Sequence, residues 1–366
     1  MLLDSHQLVG PEIYGAQNLR TQARGWLRLG PGPAYKQRMY VVTGGAGFIG
    51  SNIVHGLEAA GRGPVAVVDH VDSEEKRRNI AKRTTVETVA PEDVLAFLKE
   101  NQGRIKGVIH MGAISATTET LLVRIIKANI LLSRSLWDWC TDAGVPFIYA
   151  SSAATYGDGS RGFDDDGAIP ALKALQPLNM YGWSKNQFDI WVAERIAEGA
   201  PMPPGWAGLK FFNVFGPNEY HKGRMQSVAR QVYAKAAAGE ACTLFKSHHP
   251  DYPDGGQLRD FVWVGDCVDM VMWLLDHPEA SGLFNCGSGK ARSFADLASA
   301  VYRALGKEPM IEFVPTPEDI RDKYQYFTEA RMERIRAAGY DHPSTPLEEG
   351  VRRYVQDFLH QDDPYL

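Results

Sequence analysis

Cysteine is scarce in this chain, with four in 366 residues, and Cys140, Cys242, Cys267 and Cys286 form no Cys-x-x-Cys pair. That scatter excludes a disulfide scaffold or a zinc ribbon. Three of the four sit in apolar segments, as buried free thiols do in a reducing compartment, so the expected location is the cytoplasm. An excess of positive charge is missing too. Lys and Arg total 39 against 44 Asp and Glu, a formal net charge of −5, and nothing here is the footprint of a nucleic-acid binder. No apolar run reaches membrane-span length, so no membrane partner is expected. Residues 1–38, rich in Gly, Pro and Gln with scattered Arg, lack the apolar core of a signal peptide. Because Met39 directly precedes a strand-like run, they read as a disordered extension, a vector remnant or a misplaced start. Repeats and low-complexity tracts are also absent, leaving one large or two intimate domains.

What is present begins at Met39-Tyr-Val-Val-Thr43, a short apolar run followed by Gly44-Gly45-Ala46-Gly47-Phe48-Ile49-Gly50. Glycines at 44, 47 and 50 permit a tight turn, close backbone approach to a pyrophosphate and close packing of the helix opening at Phe48. A glycine pattern alone is weak. Here it follows a strand, opens a helix (48–60) and precedes a second strand, 64–69, that ends in Asp69 near the spacing expected of a ribose-binding acid. The longest charge run, 72–78, reads as a solvated loop or, more sharply, a phosphate clamp.

Strand-like and helix-like segments then alternate. Strands are expected at 86–89, 106–110, 145–149 and 208–212, and helices at 91–101, 118–143 and 179–198. This is an α/β pattern, a Rossmann-type doubly wound parallel sheet, whose ligands lie beyond the carboxyl ends of the strands. Helices are further expected near 225–238, 266–275, 294–305 and 347–359. The expected organisation is a dinucleotide-binding domain over 39–212 to which 258–290 returns, and a smaller C-terminal α/β substrate domain from 213–257 and 291–366.

Tyr181 and Lys185 carry the chemistry. On a helix an i, i+4 pair shares a face, so the ammonium can stabilise a phenolate, giving a base for a carbinol. An isolated pair of this kind is more often a surface Tyr and Lys. With the glycine loop upstream and Ser151-Ser152 at a strand end between them, the catalytic reading prevails. His248 and His249 alternate sides in an extended chain and read as a solvated or substrate-contacting pair, not as a metal site.

Thr-Gly-Gly-Ala-Gly-Phe-Ile-Gly-Ser-Asn from Thr43, Ser-Ser-Ala-Ala-Thr-Tyr-Gly from Ser151, Tyr-x-x-x-Lys at Tyr181 and Phe-Phe-Asn-Val-Phe-Gly-Pro from Phe211 together resemble the extended short-chain dehydrogenase/reductase superfamily of NAD-dependent epimerases and dehydratases. Within it, Pro217–Gly223, Arg259–Asp266 and Asp322–Thr328 resemble the ADP-L-glycero-D-manno-heptose 6-epimerases. The resemblance implies a nucleotide-sugar isomerase that oxidises C6 of an ADP-heptose and reduces it again on the opposite face, for lipopolysaccharide core precursors. Tyr181 is then the base, Lys185 its electrostatic partner, Ser152 a hydrogen-bond donor to the reacting oxygen, and Lys222 a second acid/base or a phosphate anchor. The Asp-Glu pair that the superfamily's dehydratases use is replaced by Ala153-Ala154, which argues against elimination.

The resemblance assigns cofactor contacts to Gly44, Gly47, Phe48, Ile49, Gly50, Asp69, His70, Lys76, Met111, Gly112, Ala113, Ser115, Asn129, Lys185 and Val214. It assigns substrate contacts to Ser152, Asn213, Lys222, Arg224, Gln231, Phe245, Ser247, Arg259 and Tyr324. Asp69 by itself favours NAD. The family tolerates an acid there beside a cation, and His70 and Lys76, with Arg77 nearby, make tightly bound NADP the expectation and NAD the alternative. A homo-oligomer is implied, with pentamers as precedent. Pro91 replaces a common cofactor lysine, Arg224 a small polar residue, and 245–256 departs from the family's Phe-Glu-Gly-Ser segment. A UDP-galactose 4-epimerase-type enzyme would share the catalytic residues. A non-catalytic dinucleotide sensor is disfavoured by the retained Ser152, Tyr181 and Lys185.

Overall fold

A computed structural model describes residues 37–366, apart from 85, 117, 118, 120 and 322–324. The expectations for residues 1–36 and for Tyr324 fall outside the described residues. Seven strands form a wholly parallel sheet: β1 (Met39–Thr43), β2 (Val65–Val68), β3 (Val86–Val89), β4 (Ile105–His110), β5 (Phe147–Ser152), β6 (Trp206–Phe211) and β10 (Gly282–Cys286). Their order is β10-β6-β5-β4-β1-β2-β3. Three smaller strands, β7 (Asn213–Phe215), β9 (Leu258–Trp263) and β11 (Ala291–Ser293), form a second sheet, and β8 (Cys242–Phe245) pairs with β12 (Ile311–Val314).

The strand runs are continuously apolar because helices cover both faces. On one face α1 (Phe48–Ala59) and α9 (Val264–Asp276) bury Ile53, Leu57, Met270 and Leu274 against Val42, Val67 and Ile109. On the other, α5 (Leu132–Ala143) and α7 (Met180–Ala197) bury Trp137, Phe188 and Val192 against Val41, Val108 and Phe147. A separate core joins α8 (Val228–Ala238), α10 (Phe294–Ala304) and 347–359 around β8 and β9. All four cysteines are buried and free. No described helix is long and apolar enough to cross a membrane.

Three local readings need correction. The charge run 72–78 is not a solvated loop: it enters α2 (Glu74–Ala81), capped by Ser73, whose side chain accepts from Lys76 N. Glu74 and Glu75 lie in its first turn and Arg78 in its last, an order that suits the helix dipole. The strand expected at 145–149 runs from Phe147 to Ser152, so both serines are strand residues held by parallel pairing to β6. The helix expected from 118 begins at Leu122 and passes through a π-helical stretch, Ile126–Leu131, before α5.

Candidate active site

Beyond the carboxyl ends of β1, β2, β4, β5 and β6 lies one cavity of about 820 Å³. The glycine loop forms its floor. Gly44 adopts φ 66°, and a Cβ there would stand 2.7 Å from Gly112 N; one on Gly50 would stand 2.1 Å from Gly44 O. Neither position tolerates a side chain. No side chain caps α1 at Gly47, so its first amides face the cavity unshielded, an arrangement that fits a pyrophosphate.

At the end of β2, both carboxylate oxygens of Asp69 are engaged. Oδ2 accepts from Ala46 N at 3.1 Å, and Oδ1 lies 3.0 Å from Lys76 Nζ, which α2 turns back toward it. Lys76 also donates to His70 O at 3.0 Å. Asn79, buried on the same helix, donates to Ala46 O at 2.9 Å and to Asn218 O at 3.0 Å, fastening the glycine loop to the turn that carries Lys222.

Asn179 starts α7 by accepting from Gly182 N at 2.9 Å, which fixes the rotation of the helix and sends Tyr181 and Lys185 to the cavity. Lys185 Nζ stands 6.0 Å from the centre of the Tyr181 ring. Burial pushes the Tyr181 phenol up, while its hydrogen bond with Ser152 pulls it down. Burial also lowers Lys185 to about 8, with Asp189 opposing that fall. The ammonium is therefore poised near neutrality beside a phenol that needs it.

Two buried networks hold this pair, and residue spacing alone revealed neither. Asp189, one further turn along α7, accepts from Tyr149 OH at 3.0 Å, Ser151 Oγ at 2.7 Å and Lys210 Nζ at 2.7 Å. Lys210 also donates to Thr155 Oγ1 at 2.9 Å, so the ion pair ties β5 and β6 beneath Ser152. The second network starts at Gly112 N, which donates to Thr43 Oγ1 at 3.1 Å, 2.6 Å from His110 Nδ1. His110 Nε2 lies 2.9 Å from Ser133 Oγ, which donates to Asn129 O. Burial, with Lys185 nearby, lowers His110 to about 3, so the ring is neutral, and these partners require the proton on Nε2. Asn129 then bonds the Ile114 backbone at 2.8 and 3.0 Å and Ser184 Oγ at 3.0 Å.

Lys222 enters the same cavity from a 3₁₀ turn, Tyr220–Met225, with Nζ 5.2 Å from the centre of the Phe48 ring. Burial lowers its pKa, and the buried Glu219 carboxylate opposes that shift. Of the other expected residues, Ile49, His70, Met111, Ala113, Ser115, Asn213, Val214 and Arg259 line the cavity. Asn129 lies behind the wall as a brace. Arg224, Gln231, Phe245 and Ser247 are not among the lining residues; Gln231 instead donates to Gln226 O, and Ser247 Oγ to His249 O. Arg124, His221 and Gln325 line it without having been expected. Of these only His221 carried a signal, its place beside Lys222.

The site has the composition of a dinucleotide-dependent carbinol oxidoreductase, and residues 40–287 match the profile described as the NAD dependent epimerase/dehydratase family. The chain belongs to that family. It is 48% identical over 330 residues to an ADP-L-glycero-D-manno-heptose-6-epimerase of Nitratidesulfovibrio vulgaris, across 90% of this chain and 100% of that one. A protein of the same name from Fusobacterium nucleatum is 44% identical over 336 residues, again across 90% and 100%. Among solved structures, the Helicobacter pylori ADP-L-glycero-D-manno-heptose-6-epimerase superposes with a TM-score of 0.72 at 26% identity, covering 88% of this chain and 97% of that one. A Thermus thermophilus UDP-glucose 4-epimerase in complex with NAD gives 0.65 at 25% identity, with 86% and 96% covered.

Proposed function

We propose that this protein interconverts ADP-D-glycero-D-manno-heptose and ADP-L-glycero-D-manno-heptose by oxidation and re-reduction at C6. The observation that carries this reading is the convergence of Ser152, Tyr181, Lys185 and Lys222 on one cavity in a chain 48% identical to a heptose 6-epimerase over that relative's whole length. Bound in the cavity, the nicotinamide supplies a hydride acceptor and donor. Tyr181 takes the proton of the C6 hydroxyl, Lys185 offsets the phenolate charge, and Ser152 donates to the reacting oxygen. Inversion needs the C6 carbonyl turned to its other face before hydride returns. A proton must then reach the oxygen from a different direction, and Lys222, held on another element and lowered in pKa by burial, serves there.

The glycine cradle and the uncapped α1 amides would hold the pyrophosphate, and the Asp69–Lys76 pair favours NADP. Lys76 neutralises Asp69, and its ammonium at the cavity wall suits a 2′-phosphate. Tight retention follows from the chemistry, since the oxidised cofactor is regenerated in place. Arg259 and Asn213, which line the cavity, would contact the substrate. A cytoplasmic homo-oligomer completes the reading and is checked by sedimentation. Incubating the purified protein with ADP-D-glycero-D-manno-heptose and resolving the C6 epimers by NMR tests the proposal. A constant epimer ratio, with turnover of UDP-galactose instead, would replace it by the 4-epimerase reading.

A further inference from the structure

The turn that carries Lys222 has little to hold it by itself. Tyr220–Met225 is a 3₁₀ element interrupted at Gly223 (φ 52°, ψ −122°), and none of its six residues is buried. Such short 3₁₀ pieces have poor hydrogen-bond geometry and no persistence of their own. A lysine that must meet one face of a substrate needs its position set from outside the turn.

Part of that outside support comes from Asn79, which donates to Asn218 O at 3.0 Å and lies 3.4 Å from His221 Nδ1, and part from residues 363–366. Leu366 N donates to Asn218 Oδ1 at 3.1 Å, and Tyr220 OH donates to Pro364 O at 2.7 Å. Asn218, at φ 73°, also donates to Ser51 Oγ at 3.0 Å, so one side chain links α1 to this segment. The Tyr365 ring, only 6% exposed, meets the Tyr220 ring edge-on at 4.8 Å, and the Arg78 guanidinium stands 4.1 Å from its centre. Arg78 and Lys82 each approach the Asp363 carboxylate at 3.0 Å, and Lys82 donates to Tyr365 O at 2.6 Å. On one side, then, the segment grips α2 and the residue that follows it; on the other it grips Asn218 and Tyr220.

We propose that residues 363–366 are a positioning strap, with Tyr365 as its wedge, that holds the Lys222 turn in register with α2 and hence with the cofactor end read by Lys76. The proposal rests on the acid/base reading of Lys222. Tyr365 touches neither the cavity nor the reacting atoms and acts through Tyr220 and Asn218. A strap of this kind predicts a selective defect: loosening it misplaces Lys222 but leaves Tyr181, held by Asn179 and the strand ends, where it was.

The test uses the full chain with Tyr365→Ala, and Tyr365→Phe as the conservative variant that keeps the ring. Hydrogen exchange should accelerate at the amides of 219–226 in Tyr365→Ala, while α7 amides keep their protection and Tyr365→Phe matches the wild type. With the cofactor reduced and a C6-keto analogue of the heptose, whose two faces give different epimers on hydride addition, Tyr365→Ala should lose the Lys222-dependent epimer by on the order of 10- to 100-fold. The Tyr181-dependent product should persist. Exchange unchanged at 219–226, or both products falling by the same factor, overturns the strap. If Lys222→Met itself shows no face-selective loss, the acid/base reading fails instead. The strap is then judged on exchange together with NADP affinity, which Tyr365→Ala must weaken through α2 for the proposal to stand.

Discussion

Lys76 Nζ lies 3.0 Å from Asp69 Oδ1, a pairing that places a cation where an acid alone would read a ribose hydroxyl. Lys76→Ala should therefore weaken NADP binding by about tenfold to a hundredfold, the scale of one hydrogen bond to a charged group, and leave NAD within about a factor of three. Titration of apo-protein with each dinucleotide decides it. Equal losses for both would mean that Lys76 only supports the fold of α2.

Tyr181→Phe removes the ionisable hydroxyl and little else. The loss in kcat should be about 10²- to 10⁴-fold, the usual contribution of a general acid/base, with cofactor occupancy unchanged. Turnover at the wild-type rate would remove Tyr181 from the mechanism.

For Lys222, the two readings separate in steady-state kinetics. As an acid/base its replacement in Lys222→Met lowers kcat by orders of magnitude with little change in affinity for the ADP-sugar, whereas a phosphate anchor mainly raises KM. The half-buried, pKa-lowered ammonium favours the first outcome.

Lys185 offers a pH test of the buried site. Its ordinary value of 10.5 falls to about 8 in the folded protein. Below about 8 the folded chain bears the full cost of a buried ammonium, and between the two values the unfolded chain binds a proton the folded chain has released. Wild-type stability should thus gain about 3 kcal/mol relative to Lys185→Met as pH rises across that window. Denaturant midpoints of both proteins measured through the window check the sign. A constant difference would show that the ammonium is solvated.

The features that local sequence carries came through intact. A strand, a glycine turn, a helix start and an i, i+4 Tyr-Lys pair each arise within a few residues, so their geometry follows from backbone rules and periodicity. Charge runs are a different matter. The 72–78 stretch has no apolar stripe to mark a helix, and α2 is decided by the Ser73 cap, the dipole order of its charges and the contact with Asp69. The placement of Ser151 and Ser152 within β5 likewise followed from pairing to β6, which no window around residue 150 contains.

By itself, the sequence determined the parallel α/β sheet, the glycine cradle, the acid at the end of β2 and the identity of the Ser-Tyr-Lys group, because each is assembled from short motifs and periodicities that can be read locally. Only the tertiary structure decided which side chains brace them. Asp189 meets Lys210 across 21 positions, Thr43 meets His110 across 67, and Asn218 meets Leu366 across 148. These polar groups are buried or, at Leu366, partly so, and a buried polar atom must find a partner wherever the fold supplies one. Partners chosen by burial are fixed by chain packing, so their identity emerges only when the sheet has closed around them.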